Sequence, residues 1–169
     1  GRGRRGRWGG RGGGAALRAD WDKNFATWKA ANPDRATLLE RLVSKDLPAG
    51  WDKELPIFAP GKDVATRKAS GDVIAAIAKV LPEFWGGSAD LAGSNNTVIS
   101  SAGSFLPASS AMANANPYGR MIHFGIREHA MGSILNGVAL HGLSRCFGGT
   151  FAVFSDYMRP AVRLAAIMD

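Results

Sequence analysis

The chain has 169 residues, 46% of them hydrophobic, and a formal charge of +7; it is long enough for one domain with a core and too apolar to be disordered by composition. Five arginines (Arg2, Arg4, Arg5, Arg7, Arg11) fall within residues 1–14, which hold no acid, so the remainder is close to neutral and its charge does not point to a nucleic-acid ligand. The single cysteine, Cys146, excludes an intrachain disulfide and fits a reducing, cytoplasmic compartment, and no apolar run predicts a membrane helix or a secretory signal.

Residues 1–14 are of low complexity and are expected to be disordered or foreign to the domain; the other reading is an RGG-type RNA-binding tail, with arginines on phosphates and Trp8 stacked on a base. Trp21, Phe25 and Trp28 fall at i, i+4 and i+7, which predicts a helix over 15–30 ended by Asn32-Pro33. Leu38, Leu39, Leu42 and Val43 predict a second helix from about Asp34. Pro48, Gly50, Pro56, Pro60 and Gly61 then mark an extended linker. Asp63 is the expected cap of a helix carrying Val73, Ile74, Ile77, Ala78 and Leu81, followed by a short strand from Phe84 to Ser88. Residues 92–119 show little periodicity and are expected as a long loop. Met121–Phe124 is expected as a strand, Arg127–His141 as a helix, Thr150–Phe154 as a strand and residues 156–168 as a helix. This alternation is the pattern of an α/β fold with a parallel sheet.

Ligands of such sheets sit beyond the carboxyl ends of the strands. Three clusters are expected to meet there: Gly87-Ser88-Ala89-Asp90, His123-Phe124-Gly125 and Phe154-Ser155-Asp156-Tyr157. Glu128, in the first turn of its helix, borders the apolar stripe of Ala130, Met131, Ile134, Leu135, Val138 and Ala139. It is either a residue matched to the helix dipole or, if buried in a pocket, a proton donor; helix geometry leaves the two about even. His123 and His129 lack the helical spacing of a zinc pair, so no metal site is expected, and His141 reads as structural at its helix end. Phe151, Phe154 and Tyr157 share a pocket only if the chain turns after Val153. Arg67, early in its helix, and Ser94, in the long loop, can bind a phosphate or be an ordinary solvated face and turn.

The combination Ala65-Thr66-Arg67-Lys68-Ala69-Ser70, Gly86-Gly87-Ser88-Ala89-Asp90-Leu91, Ser94-Asn95, Ile122 through Gly132, and Gly149-Thr150-Phe151 through Arg163 resembles the transketolase family. The resemblance runs from about residue 62 to 169 and is to the N-terminal part of the pyrimidine-binding domain, with residues 15–61 similar to the last helices of the preceding diphosphate-binding domain and its linker. It implies a thiamine-diphosphate enzyme moving a two-carbon ketol unit from a ketose phosphate to an aldose phosphate, as in the pentose phosphate pathway. It also implies a role for each candidate. Glu128 contacts the aminopyrimidine and promotes its imino tautomer, which deprotonates the thiazolium carbon. Phe154, Phe151 and Tyr157 form the aromatic pocket, Asp90 lies near the thiazolium, and Arg67 with Ser94 binds the sugar phosphate. Mg²⁺ ligands, catalytic and substrate histidines and a C-terminal domain of the family are not in this chain. The family's active sites lie between two subunits of a homodimer. The chain is therefore expected to be a fragment, inactive by itself, with one wall of a site and an open sheet edge prone to aggregation. A related thiamine-dependent ketol transferase and a non-catalytic subunit are the alternatives.

Overall fold

The structure, a computed structural model, describes residues 11–168. Trp8 and four of the five tail arginines lie outside them. The chain forms two compact units, through Arg41 and from Leu42 onward. In the first, α1 (Arg11–Ala31) stacks Trp21 on Phe25 and Phe25 on Trp28 with ring centroids 4.8 and 5.7 Å apart, as their spacing predicts. Asn32 closes the helix by donating its Nδ2 to the Trp28 carbonyl, and Pro33 opens α2 (Pro33–Ser44), where a missing N–H costs nothing.

The second unit is a five-stranded, all-parallel sheet in the order β3-β2-β4-β1-β5. After a helical turn at Trp51–Glu54 come α3 (Thr66–Val80), β1 (Phe84–Ser88), the single turn α4 (Ala92–Asn95), β2 (Ser104–Phe105), β3 (Ala115–Asn116), β4 (Met121–His123), α5 (Glu128–His141), β5 (Arg145–Gly149) and α6 (Ser155–Met168). Successive side chains of β4 serve opposite faces, as strand geometry requires. Met121 packs with Ile74 and Ala78 of α3, and Ile122 with Met131 and Leu135 of α5. The sheet therefore has helices on both faces. β1 lies between β4 and β5, with Gly87 opposite both Ile122 and Gly148. A methyl group on Gly87 would lie 1.9 Å from the Ile122 carbonyl oxygen, so the strand has no room for a side chain there. On the helical side, a methyl on Gly132 would lie 2.8 Å from the Ala161 Cβ; the glycine lets α5 and α6 approach closely. Asn136 ties the pair by donating to the Ala161 carbonyl at 2.9 Å.

Several expectations are corrected. The strand expected at Thr150–Phe154 lies instead at Arg145–Gly149, and Ala152–Phe154 is a 3₁₀ turn. Thr, Val and Phe favour strands and glycine does not; here the fit beside Gly86 and Gly87 overrides propensity. The third cluster thus begins a helix rather than ending a strand. Helix α3 starts at Thr66 with Ala65 as its cap, so Asp63 does not cap it. The expected loop 92–119 contains α4, β2 and β3. On α5, Ile134 and Ala139 are exposed, whereas Glu128 and Gly132 are buried. The Arg/Gly stretch enters α1 at Arg11.

Candidate functional site

Parallel strands bring the ends of β1, β4 and β5 to one edge of the sheet. Beyond β1, Ala89 is buried and Asp90 takes a left-handed backbone, φ 64°. That conformation costs a non-glycine residue about 1 kcal/mol or more and is found where surrounding structure enforces it. Beyond β4, the chain turns at Gly125 (φ 69°), and Arg127 locks the turn by donating its Nε to the Phe124 carbonyl at 2.7 Å. Helix α5 follows at once with Glu128 as its first residue, and among the described residues no side chain caps its N-terminus.

Glu128 is 7% exposed, and its carboxyl makes no hydrogen bond or ion pair among the described residues. A pocket of about 500 Å³ opens in front of it, lined by Asp90, Leu91, Ile126, Glu128, Phe154 and Tyr157. The turn after Val153 makes this possible: Phe154 stacks between Phe151 and Tyr157, with centroids 6.4 and 6.2 Å apart. The result is an aromatic wall facing an unengaged carboxyl at a helix N-terminus. Such a pocket suits a flat ring with an apolar face and a nitrogen that can share a proton.

The structure thus brings Glu128, Asp90, Phe154 and Tyr157 into one pocket. Phe151 belongs to the same aromatic series but lines a second, neighbouring groove of about 770 Å³ with Arg67, Asn95, Thr97 and Thr150. Thr150 Oγ1 is buried there without a hydrogen-bond partner among the described residues. Ser94 lies on α4, exposed, its N–H bonded to the Leu91 carbonyl; its neighbours rather than Ser94 itself line the groove. Asn96 connects the two regions by donating to the Arg67 carbonyl at 3.4 Å. His123 is exposed and pairs with the Ser104 hydroxyl at 2.8 Å. Among the described residues no group of three His, Cys, Asp or Glu side chains is arranged to hold a metal ion, and no helix is long and apolar enough to cross a membrane.

Sequence reasoning missed two members of the pocket, Leu91 and Ile126. Ile126 is 78% exposed. An isoleucine left in solvent between a strand end and a helix start was the available signal, because its pattern fits neither element. Ser88 and Asn95 fall in stretches that the sequence singles out, but the hydrogen bonds that join them to each other and to the buried Thr97 depend on a fold not visible locally.

Comparison with known proteins gives this geometry a family. The profile "Transketolase, pyrimidine binding domain" matches residues 62–169. The chain belongs to the transketolase pyrimidine-binding domain family. Among curated transketolases it is 58% identical to that of Mycobacterium tuberculosis over 152 residues, covering 88% of this chain and 22% of the relative. It is 52% identical to that of Geobacillus stearothermophilus over 155 residues, 92% of this chain and 22% of the relative. Among solved structures, transketolase of Pichia stipitis in complex with sedoheptulose-7-phosphate superposes with a TM-score of 0.81 at 41% identity, covering 89% of this chain and 22% of that one. Transketolase from Leishmania mexicana gives 0.79 at 39% identity, with 90% and 22% covered. The chain therefore spans about a fifth of the length of these transketolases.

Proposed function

We propose that this chain supplies the pyrimidine-binding wall of a thiamine-diphosphate-dependent transketolase. The observation that carries the reading is the pocket that joins the buried Glu128, without a partner among the described residues, to the Phe154 aromatic wall. This donor set fits the aminopyrimidine of thiamine diphosphate. The aromatic wall of Phe154 and Tyr157 would pack against the ring, with Phe151 stacked on Phe154, and the Glu128 carboxyl would share a proton with a ring nitrogen. When bound, the cofactor supplies the electron sink for breaking and remaking a carbon–carbon bond. The protein's part is orientation, exclusion of water and proton management at the Glu128 carboxyl. Asp90, held in its left-handed turn, would stand at the mouth of the pocket. Arg67, with Ser94 nearby on α4, would draw the phosphate of a sugar phosphate toward the neighbouring groove; α3 adds its positive N-terminus.

The transfer of a two-carbon ketol unit between sugar phosphates, the Mg²⁺ ion and a homodimer that closes the site are part of the same proposal. The Mg²⁺ ligands would come from the diphosphate-binding domain of the longer family members. Residues 15–61 are read as that domain's last helices and linker, residues 62–169 as the N-terminal part of the pyrimidine-binding domain. Cytoplasmic location fits the single cysteine.

The test is a full-length transketolase in which residues 62–169 of this chain replace the matching segment. Ketol transfer is expected, and Glu128→Gln should lower kcat by about 10²–10⁴, the usual worth of a positioned acid–base group. Full activity of the Glu128→Gln enzyme would sink the reading.

A further inference from the structure

The left-handed turn at Asp90 needs something to hold it. Ser88, the last residue of β1, is buried, and its hydroxyl makes three hydrogen bonds. It donates to the Gly149 carbonyl at 2.9 Å, and it accepts the Leu91 N–H at 3.0 Å and the Asn95 Nδ2 at 3.0 Å. A serine hydroxyl has one proton and two lone pairs, so it is saturated. The bond to Leu91 spans Asp90 and closes the turn. The bond to Gly149 joins the end of β1 to the end of β5, from which the chain runs to the 3₁₀ turn carrying Phe154.

The orientation of Asn95 decides which way the Ser88 proton points. Thr97 Oγ1 lies 2.8 Å from Asn95 Oδ1 and donates to it, leaving Nδ2 toward Ser88. Were Asn95 to present an oxygen to Ser88 instead, the hydroxyl would turn its proton to that oxygen and give up Gly149; the two oxygens left facing each other at 2.9 Å would repel, and the Ser88 side chain would move off the Leu91 N–H. Ser88, Asn95 and Thr97 are all at least nine-tenths buried, so water does not replace a lost partner at low cost.

We propose that Asn95 is a positioning residue: acting through Ser88, it holds the Asp90 turn and the β5 exit in register, so that both walls of the Glu128 pocket keep their places. The importance of that pocket for cofactor binding rests on the function proposed above; the clamp itself does not.

Amide hydrogen exchange on the 169-residue chain tests it, comparing wild type, Ser88→Ala, Asn95→Asp and the double variant. Asn95→Asp keeps the shape and removes the N–H that faces Ser88. Protection of the Leu91 amide should fall about tenfold in each single variant, the scale of one buried hydrogen bond, while Met131 in α5 keeps its protection. The double variant should lose no more than Ser88→Ala alone, because Asn95 acts through Ser88. Unchanged Leu91 protection in Asn95→Asp, additive losses, or equal losses at Met131 would each overturn the proposal. A second readout uses the full-length enzyme carrying residues 62–169. There Asn95→Asp should raise the KM for thiamine diphosphate more than it lowers kcat, and Asn95→Asp with the wild-type KM would count against the clamp's reach into the pocket. Loss of Leu91 protection in a protein whose Glu128→Gln form is fully active would support the clamp while removing the cofactor reading.

Discussion

At the edge where the strands begin, polar side chains are spent on the protein itself. The Arg120 guanidinium donates to the Leu81, Phe84 and Ala78 carbonyls at 3.0, 3.4 and 3.2 Å, closing the last turn of α3 onto the start of β1. Arg145 lies 3.9 Å from the buried Glu83 carboxylate and donates to the Lys45 carbonyl at 2.6 Å. At the edge where the strands end, the Glu128 and Asp90 carboxyls have no partner among the described residues, and Asp90 carries backbone strain. A buried polar group that meets its own chain stabilises the fold; one left unmet at a pocket is kept for something else. The two edges of one sheet thus differ: one turns its polar side chains onto the chain, and the other also leaves the buried Glu128 carboxyl open to a pocket.

The largest effects should come from the sheet that holds the edges apart. Gly87→Ala drives a methyl into the Ile122 carbonyl and should cost more than about 3 kcal/mol, with loss of cooperative melting in calorimetry. A variant that melts like wild type would mean that β1 and β4 are spaced more loosely than described. Next, Arg120→Met removes three hydrogen bonds to carbonyls and should lower stability by about 2–3 kcal/mol in denaturant titration. Glu128→Gln is its counterpart at the other edge. It loses no partner, only the favourable placement of a carboxylate at a helix start, worth at most about 1 kcal/mol. Equal destabilisation by the two changes would erase the distinction between the edges. Phe154→Ala, in the full-length enzyme carrying this segment, should weaken thiamine diphosphate binding by about tenfold, the loss of one aromatic contact face.

How much of this the sequence reveals differs between the edges in the same way. β1, β4, α5 and α6 follow from apolar period and turn residues, and their ends predict where Glu128, Asp90 and Tyr157 converge. β5 does not follow: Arg145-Cys146-Phe147-Gly148-Gly149 has weak strand propensity, and only the tight fit against Gly86 and Gly87 makes it a strand. β2 and β3 are two residues each, too short for any alternation to register. The proximity of Arg67 to Asn95 and Thr97, and the clamp of Ser88 by Asn95, require β5 in place. The family resemblance names the pocket residues but not what holds them.

The smallest expected effect lies in Cys146, on β5 near the edge where the strands begin. With Lys45, Asp46, Glu83 and Arg145 it lines a cavity of about 260 Å³. Neighbouring cations would favour a thiolate, yet burial pushes the thiol above its ordinary 9.0. Arg145 is already engaged, with Glu83 and the Lys45 carbonyl, while the Cys146 Sγ donates to the Leu135 carbonyl at 3.3 Å. A folded-state thiol that holds its proton longer than the unfolded one leaves stability untouched below pH 9. Above it the unfolded chain ionises first, so stability falls as pH rises toward the folded value. Denaturation measured between pH 7 and 10 should show this decline in wild type and a shallower one in Cys146→Ala, whatever constant offset the lost sulfur adds. Identical slopes would mean that the cysteine is solvated in the folded chain. This edge would then have a reactive group of its own, and the contrast between the two edges would narrow to the carboxylates.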